Sequence, residues 1–324
     1  MTNNENINFL YCFDNNYNLQ ANNSISSLLE NASEPISIYI IHENPSTFEI
    51  YIDKFKQNKK LDNIEIFKFD NSLIENFPRV ENTHISEATY YRLFIDLYLP
   101  SKIKNITYLD ADIICYQCPI KGLREQIQIM KKKNLNIASK TETIFNEELD
   151  EINNRLNLKS KKYFNAGVMI IDFKKWIAEQ TSTKLLEELN RIKDIIYYWD
   201  QDVLNSYFDG EYLELSPYLN FNLHLTGQDY FDKTPKEERN KMIFIHYAGS
   251  HKPWSVRGIY NPKSVYYQQQ HMKLNNKYHV INTWRVDALK RFIIGLITFR
   301  IIFVKHPLRF FIDVFSSLLK SSRK

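Results

Sequence analysis

Apolar residues recur along this chain in short runs broken by polar segments. Residues 7–13 (I-N-F-L-Y-C-F) form one run, stopped by Asp14-Asn15-Asn16-Tyr17, and residues 36–41 (I-S-I-Y-I-I) form a second; both read as buried strands. Residues 64–69 (I-E-I-F-K-F) alternate like a third strand. The segments between them, 19–29 and 48–55, suit helices, although the Asn and Ser content of the first lowers its helix propensity. Strands alternating with helices predict an α/β fold with a parallel, doubly wound sheet, whose ligands sit beyond the carboxyl ends of the strands.

The rest of the chain carries the same signals. Residues 88–99 (A-T-Y-Y-R-L-F-I-D-L-Y-L) predict a helix closed by Pro100, and 108–114 (Y-L-D-A-D-I-I) a strand that ends on two carboxylates. Residues 122–160 are polar and Lys-rich and read as helices and loops. A strand is expected directly after Asn165-Ala166-Gly167, where Gly167 allows close approach of backbone to ligand. Residues 199–205 (W-D-Q-D-V-L-N) start a short amphipathic helix with Asp200 as its N-cap. Residues 242–247 form a buried strand that delivers His246 into A-G-S-H-K-P-W.

The C-terminal segment differs from the body. Residues 292–304 are nearly all apolar apart from Arg300, but a spanning helix needs about 20 such residues. Leu308, Phe311, Ile312, Phe315, Leu318 and Leu319 then recur at helical spacing. Residues 285–324 hold nine Lys/Arg and two Asp, leaving 33 basic and 36 acidic residues before them. A mildly acidic body with a basic tail argues against a general nucleic-acid binder. Basic, aromatic and aliphatic residues on such helices fit an anchor lying on an anionic membrane surface. The alternative is a helical hairpin packed on the domain or on another subunit. The expected division is therefore a body, 1–283, and a basic helical tail, 284–324.

Composition narrows the chemistry. The 324 residues, 44% hydrophobic and 25% charged, are those of an ordinary globular protein. Neither G-x-G-x-x-G nor a P-loop occurs, so a bound nucleotide has to be held another way. Three cysteines, Cys12, Cys115 and Cys118, are too few for a disulfide scaffold, and C-Y-Q-C lacks a second pair for zinc. With no basic segment leading into an apolar core at the N-terminus, a cytoplasmic protein, peripheral on the inner face of the membrane, is expected.

Asp110 and Asp112 carry the strongest chemical signal. Residues i and i+2 of a strand point the same way, so both carboxylates can face one Mg²⁺ or Mn²⁺ that also holds a diphosphate. A solvated turn and the D-x-D aspartyl phosphatase pattern are the competing readings. The phosphatase would need the motif on its first strand, whereas here it follows three. Arg92 either snorkels at the surface or pairs with a carboxylate or phosphate. Asn165 offers a two-sided amide to sugar hydroxyls or else holds a turn. His246 ends a strand just before Gly249 and Lys252, a pairing suited to phosphate.

Taken in order, D-N-N-Y after the first strand, A-T-Y-Y-R-L, Y-L-D-A-D, Y-F-N-A-G-V, W-D-Q-D-V-L-N and I-H-Y-A-G-S-H-K-P-W resemble the family 8 retaining glycosyltransferases, over about residues 7–265. The resemblance implies a GT-A fold, a Rossmann-like mixed sheet for a nucleotide-sugar with acceptor-binding loops. It implies Mn²⁺, with Mg²⁺ as the substitute, held by Asp110, Asp112 and His246. Cys12, Asp14, Asn16 and Tyr17 match the uridine-binding turn, and Arg92, Asn165, Asp200 and Gln201 match donor-sugar contacts, with Ala111 and Ala166 on the same donor side. Gly249 and Lys252 match the diphosphate grip, and His84 an acceptor-side position. The basic tail matches a membrane-associated C-terminus. Ala248 stands where some relatives carry Cys, and residues 215–240 match poorly. Transfer of galactose or glucose from a UDP-sugar to a saccharide or glycolipid acceptor is the expected activity, by same-face attack steadied by Gln201. A carboxylate nucleophile would have to be Asp200 or Asp202. An inactive sugar-nucleotide-binding protein is the alternative.

Overall fold

Seven strands between Asn8 and Glu214 form one sheet. They are β1 (Asn8–Phe13), β2 (Ile36–His42), β3 (Leu61–Lys68), β4 (Asn105–Leu109), β6 (Ile137–Thr141), β7 (Phe164–Asp172) and β8 (Leu213–Glu214). β5 (Ile113–Cys115) lies outside this sheet and rests on the helix Asn18–Asn31. There the Cys115 N–H donates to Ser27 Oγ at 2.9 Å, and Asn31 Nδ2 donates to the Cys115 carbonyl at 3.1 Å. The strand order is β3-β2-β1-β4-β7-β6-β8. This is a computed structural model that describes residues 6–75, 77–78, 86–142, 146–225, 235–249, 251–280 and 286–321. Contacts divide the chain into two compact units, Met1–Asn220 and Phe221–Lys324.

The sheet is mixed, as the resemblance implies, and departs in one strand from the parallel sheet that the strand–helix alternation predicts. β1 to β4 run parallel, but β7 is antiparallel to both of its neighbours, β4 and β6. An apolar run that is buried on both faces carries no record of its direction, which is why β7 reads like a parallel core strand. β6 sits inside the polar stretch 122–160, where only Ile137 and Ala138 hint at a strand, and sequence reading missed it.

The topology creates a switch point. The chain lays β2 and β3 on one side of β1, then returns to lay β4 on the other. That reversal makes the β1/β4 boundary the switch point where open α/β sheets bind ligands. The turn after β1 carries Asp14–Tyr17, and the turn after β4 carries Asp110–Asp112.

Two local predictions need revision. Residues 88–99 form a long 3₁₀ segment, Glu87–Phe94, followed by a single α-turn, Ile95–Tyr98. Runs of this length are uncommon for 3₁₀ geometry; this one buries Tyr90, Tyr91, Arg92 and Phe94. The N-A-G motif lies within β7 rather than before it. Between the pairs Ser139↔Met169 and Lys140↔Asn165 the register jumps, so residues 166–168 bulge. Ser139 Oγ donates across the bulge to the carbonyls of Asn165 (2.6 Å) and Val168 (3.0 Å).

In the second unit β9 (Phe221–Asn222) pairs parallel with β10 (Phe244–His246). The helices Val286–Ile297 and Pro307–Ser321 flank a short 3₁₀ turn, Arg300–Phe303, entered through Phe299 at φ +55°. The apolar run 292–304 is therefore broken within itself. Phe292, Val304, Phe310 and Val314 bury against Ile259, Tyr260, Tyr278 and Val280. Ile293, Ile297, Ile302, Leu308 and Ile312 stay exposed, Leu308 at 81%. Among the described residues no helix is long and apolar enough to cross a membrane.

Candidate active site

Arg92 organises the floor of the site in the first unit. It is 4% exposed and makes contacts in four directions. Nη2 donates to Asp110 Oδ1 (3.0 Å) and Nη1 to the Ala166 carbonyl (2.6 Å), while Nε donates to the Thr89 carbonyl (3.1 Å) and lies 2.8 Å from Asp200 Oδ2. The guanidinium also lies over the Tyr108 ring, 4.1 Å from its centroid. Burial works against its charge, and Asp200, Tyr108 and Asp110 more than offset that, so the group stays protonated. Of the two sequence readings, the surface one is excluded.

Asp110 is set by three neighbours. Tyr108, two residues back on the same strand face, donates its hydroxyl to Asp110 Oδ1 at 2.7 Å, beside the Arg92 bond, and the Asp110 N–H donates to the Gly167 carbonyl at 2.9 Å. Tyr108 was missed by the sequence reading, and that i, i+2 spacing was the available signal. Ala111 and Asp112 are buried in the turn that follows.

The turn after β1 is held by its own side chains. Asp14 Oδ1 accepts from the Asn16 N–H (2.9 Å); Oδ2 accepts from Asn16 Nδ2 (3.2 Å) and Ser86 Oγ (2.6 Å). The Tyr17 N–H closes the turn on the Asp14 carbonyl at 3.0 Å. Cys12 is buried in the strand before it. Burial pushes its thiol up, Arg92 opposes the shift, and Asp110 and Asp200 add to it. His42, at the end of β2, is pushed down to about 4, chiefly by burial and against the pull of Asp14. The Asn44 N–H donates to its Nδ1 (2.8 Å), so the neutral ring carries its proton on Nε2, 2.9 Å from Asn18 Oδ1.

The helix Trp199–Phe208 supplies the opposite wall, with Asp200 inside it rather than at its cap. It is Asp202, completely buried, whose Oδ2 accepts the N–H groups of Tyr197 (2.7 Å) and Tyr198 (2.8 Å). Arg155 and Tyr163 also donate to Asp202, at 2.7 and 2.8 Å. These bonds hold the helix entry, where Trp199 takes φ +53°, a left-handed conformation unfavourable for a bulky residue. With this many donors on it, the Asp202 carboxylate is a structural anchor and a poor nucleophile. Asp200 is different. Burial pushes its carboxyl up to about 6, Arg92 opposes the shift, and the charge of Asp110 adds to it.

The β7 bulge completes this wall. Gln201 Oε1 accepts from the Ala166 N–H at 2.9 Å, and Asn165 Oδ1 accepts from the Gly167 N–H at 3.0 Å. Asn205 locks the preceding residue with two bonds to the Phe164 main chain, at 2.7 and 2.9 Å. His84 lies outside the described residues.

In the second unit His246 ends β10, 4% exposed, and its carbonyl accepts from the Leu223 N–H at 2.8 Å. Gly249 takes φ +83°, and a Cβ there would stand 3.3 Å from His224 Nδ1, so a side chain is both strained and crowded. Lys252 Nζ donates to the Tyr247 carbonyl at 2.7 Å. Asp110 and Asp112 in the first unit, and His246 in the second, are each of a type that ligates a divalent cation of the Mg²⁺ or Mn²⁺ kind.

A mixed α/β sheet with paired acids at its switch point suits an enzyme that binds a phosphate-bearing ligand through a divalent cation, and comparison with known proteins identifies which class of enzyme it is. The family model for glycosyl transferase family 8 matches residues 8–258, and the chain belongs to that family. It is a glycosyltransferase. General stress protein A of Bacillus subtilis is 29% identical, over 75% of this chain and 86% of its own length. A lipopolysaccharide 1,3-galactosyltransferase of Salmonella typhimurium is 27% identical, over 81% of this chain and 77% of its own. A lipopolysaccharide 1,2-glucosyltransferase of Escherichia coli is 28% identical, over 81% and 76%. Among solved structures, a galactosyltransferase in complex with donor and acceptor sugar analogues superposes with TM-score 0.68 at 20% identity, covering 88% of this chain and all of that one. A bifunctional glycosyltransferase in its apo form gives 0.64 at 20% identity, covering 90% of this chain and 52% of that one.

Proposed function

We propose that this glycosyltransferase moves galactose or glucose from a UDP-sugar to a saccharide acceptor in lipopolysaccharide or a related cell-surface glycan, with retention at the anomeric carbon. The observation that carries the reading is the carboxylate pair, Asp110 and Asp112, at the switch point of the first unit's sheet, and His246 is proposed as the third ligand. Similarity to enzymes named for lipopolysaccharide galactosyl and glucosyl transfer supports the substrate class. The imidazole favours Mn²⁺ over Mg²⁺. When bound, the cation supplies Lewis-acid stabilisation of the departing diphosphate.

The chain's own groups have distinct tasks in this reading. Lys252, with main-chain N–H groups near Gly249, is an oriented donor to the diphosphate. Asp14, Asn16 and Tyr17 take the uridine, beside Cys12. Arg92 fixes Asp110 and Asp200 and supports the wall bearing Ala166. Gln201 steadies the sugar face where positive charge develops, and His84 is the acceptor-side residue that the resemblance implies. Asp200 is buried against Arg92 and partly neutral near pH 6. That supports same-face attack, with the leaving phosphate taking the acceptor proton, over a double displacement through Asp200. A glycosyl adduct trapped on Asp200 would reverse this choice.

UDP release from a panel of UDP-sugars with Mn²⁺ tests the assignment. Release from UDP-galactose or UDP-glucose, without acceptor at a slow hydrolytic rate and faster with one, is expected. A chain that binds UDP and releases none from any sugar is the inactive binder instead.

The C-terminal helices are proposed as the membrane-binding part, residues 284–324, on a cytoplasmic body that ends at 283. Their exposed Ile293, Ile297, Ile302, Leu308 and Ile312 are accompanied by exposed Lys290, Arg300, Lys305 and Arg309. Deleting the segment would uncover Tyr260 and Tyr278, so substitution is the cleaner test. Serine at those five apolar positions is expected to abolish flotation with phosphatidylglycerol vesicles and leave transfer to a water-soluble acceptor intact. Undiminished flotation would assign these helices another role.

A further inference from the structure

We propose that Glu142 is a positioning residue for the transferred sugar, fixing the Asn165 carboxamide so that a single N–H is left to meet it. The inference rests on the reading of Asn165 as a donor-sugar contact. A carboxamide has nearly the same shape at its two ends, and its partners decide which end points where. Asn165 is 5% exposed. Its Oδ1 accepts from the Gly167 N–H and from Asn220 Nδ2, both at 3.0 Å, which occupies both lone pairs. Its Nδ2 donates to Glu142 Oε1 at 2.5 Å.

These partners make opposite demands. A main-chain N–H only donates, and an ionised carboxylate only accepts. Turning the amide over would set oxygen against the Glu142 carboxylate and N–H against the Gly167 N–H, so one orientation survives. Glu142 is itself held. Its N–H donates to the Tyr163 carbonyl at 2.8 Å, and the preceding Thr141 N–H donates to Glu214 Oε1 at 2.9 Å. Lys140 completes the cluster, its ammonium attracted by both Glu142 and Glu214.

The chemical consequence concerns which part of the substrate Asn165 can bind. With Oδ1 engaged twice and one N–H on Glu142, the amide can only donate, and to one atom. That atom has to be an acceptor, a sugar hydroxyl oxygen in its lone-pair direction. A bond from a carboxylate-polarised amide is also stiffer in direction than one from a freely turning side chain. Glu142 thus acts on the sugar through Asn165 and leaves the uridine alone.

Four variants test this by steady-state transfer, UDP binding and thermal melting. Glu142→Ala is expected to lower kcat for the UDP-sugar by ~10- to 100-fold, the range for a displaced positioning group, with UDP affinity unchanged. Glu142→Asp keeps an acceptor and is expected to recover part of the loss. Asn165→Asp sets two carboxylates together and should lower both melting temperature and transfer. Glu142→Gln combined with Asn165→Asp rebuilds the pair with donor and acceptor exchanged, so the melting temperature returns while transfer stays low. Recovery of transfer along with stability in that double variant overturns the proposal, as does a Glu142→Ala enzyme with the wild-type rate. Equal losses of UDP affinity and kcat in Glu142→Ala would make the residue structural only. A wild-type chain inert toward every UDP-sugar sinks the transferase reading and this inference with it, a result distinct from an active wild type matched by Glu142→Ala.

Discussion

Replacing Arg92 with methionine is expected to lower stability by about 3–5 kcal/mol, the cost of leaving a buried charge without its partner. It should also eliminate measurable transfer. One side chain there bonds Asp110, lies against Asp200, ties down the Ala166 carbonyl and covers the Tyr108 ring, so methionine keeps the volume and loses the rest. Lysine keeps a charge but cannot span these partners from one plane, and should fall between the two. Urea unfolding monitored by circular dichroism gives the comparison. A methionine variant within 1 kcal/mol of wild type would show that Asp110 and Asp200 are compensated elsewhere.

The same experiment carries a pH signature, measured without added cation. Asp200 titrates at about 6 in the folded chain against 3.8 as its ordinary value. Between those values the native state holds more protons than the unfolded one, so the contribution of this group to stability falls as pH rises from about 4 to about 6. Asn at position 200 should flatten that part of the profile. In the Arg92 variant the opposing charge is gone, and the decline should extend to higher pH.

Asp112→Asn is expected to remove the response to divalent cations. In the wild type, Mn²⁺ at a hundred times its dissociation constant should raise stability by about 2.7 kcal/mol, with EDTA reversing both this and transfer. The variant should melt at the same temperature with and without Mn²⁺. His246→Ala should weaken the response to Mn²⁺ more than that to Mg²⁺, because imidazole contributes more to transition metals. Transfer that persists at full rate in EDTA would remove the cation from the mechanism.

Much of this site was legible before folding because strand ends announce themselves. An apolar run that stops at polar residues marks both the end of a strand and the edge where ligands bind, and this located Asp14 and Asp110–Asp112. What stayed hidden depends on contacts between distant segments. Asp202 looked equivalent to Asp200, yet the donors from Arg155, Tyr163 and the 197–198 main chain come together only when the helix entry folds back on β7. The direction of β7 was unreadable for a related reason: its neighbours, rather than its residues, fix it. Tyr108 was visible as an aromatic, and its i, i+2 spacing to Asp110 was the one hint that its hydroxyl would reach that carboxylate.

The reversal of β7 has a mechanical corollary. Because this strand runs against β4, its beginning abuts the other's end, and the Asp110 N–H is clasped directly to the Gly167 carbonyl. Any displacement of Gly167 is therefore handed to Asp110 through one short main-chain link, so the bulge and the acidic turn shift as a pair rather than separately.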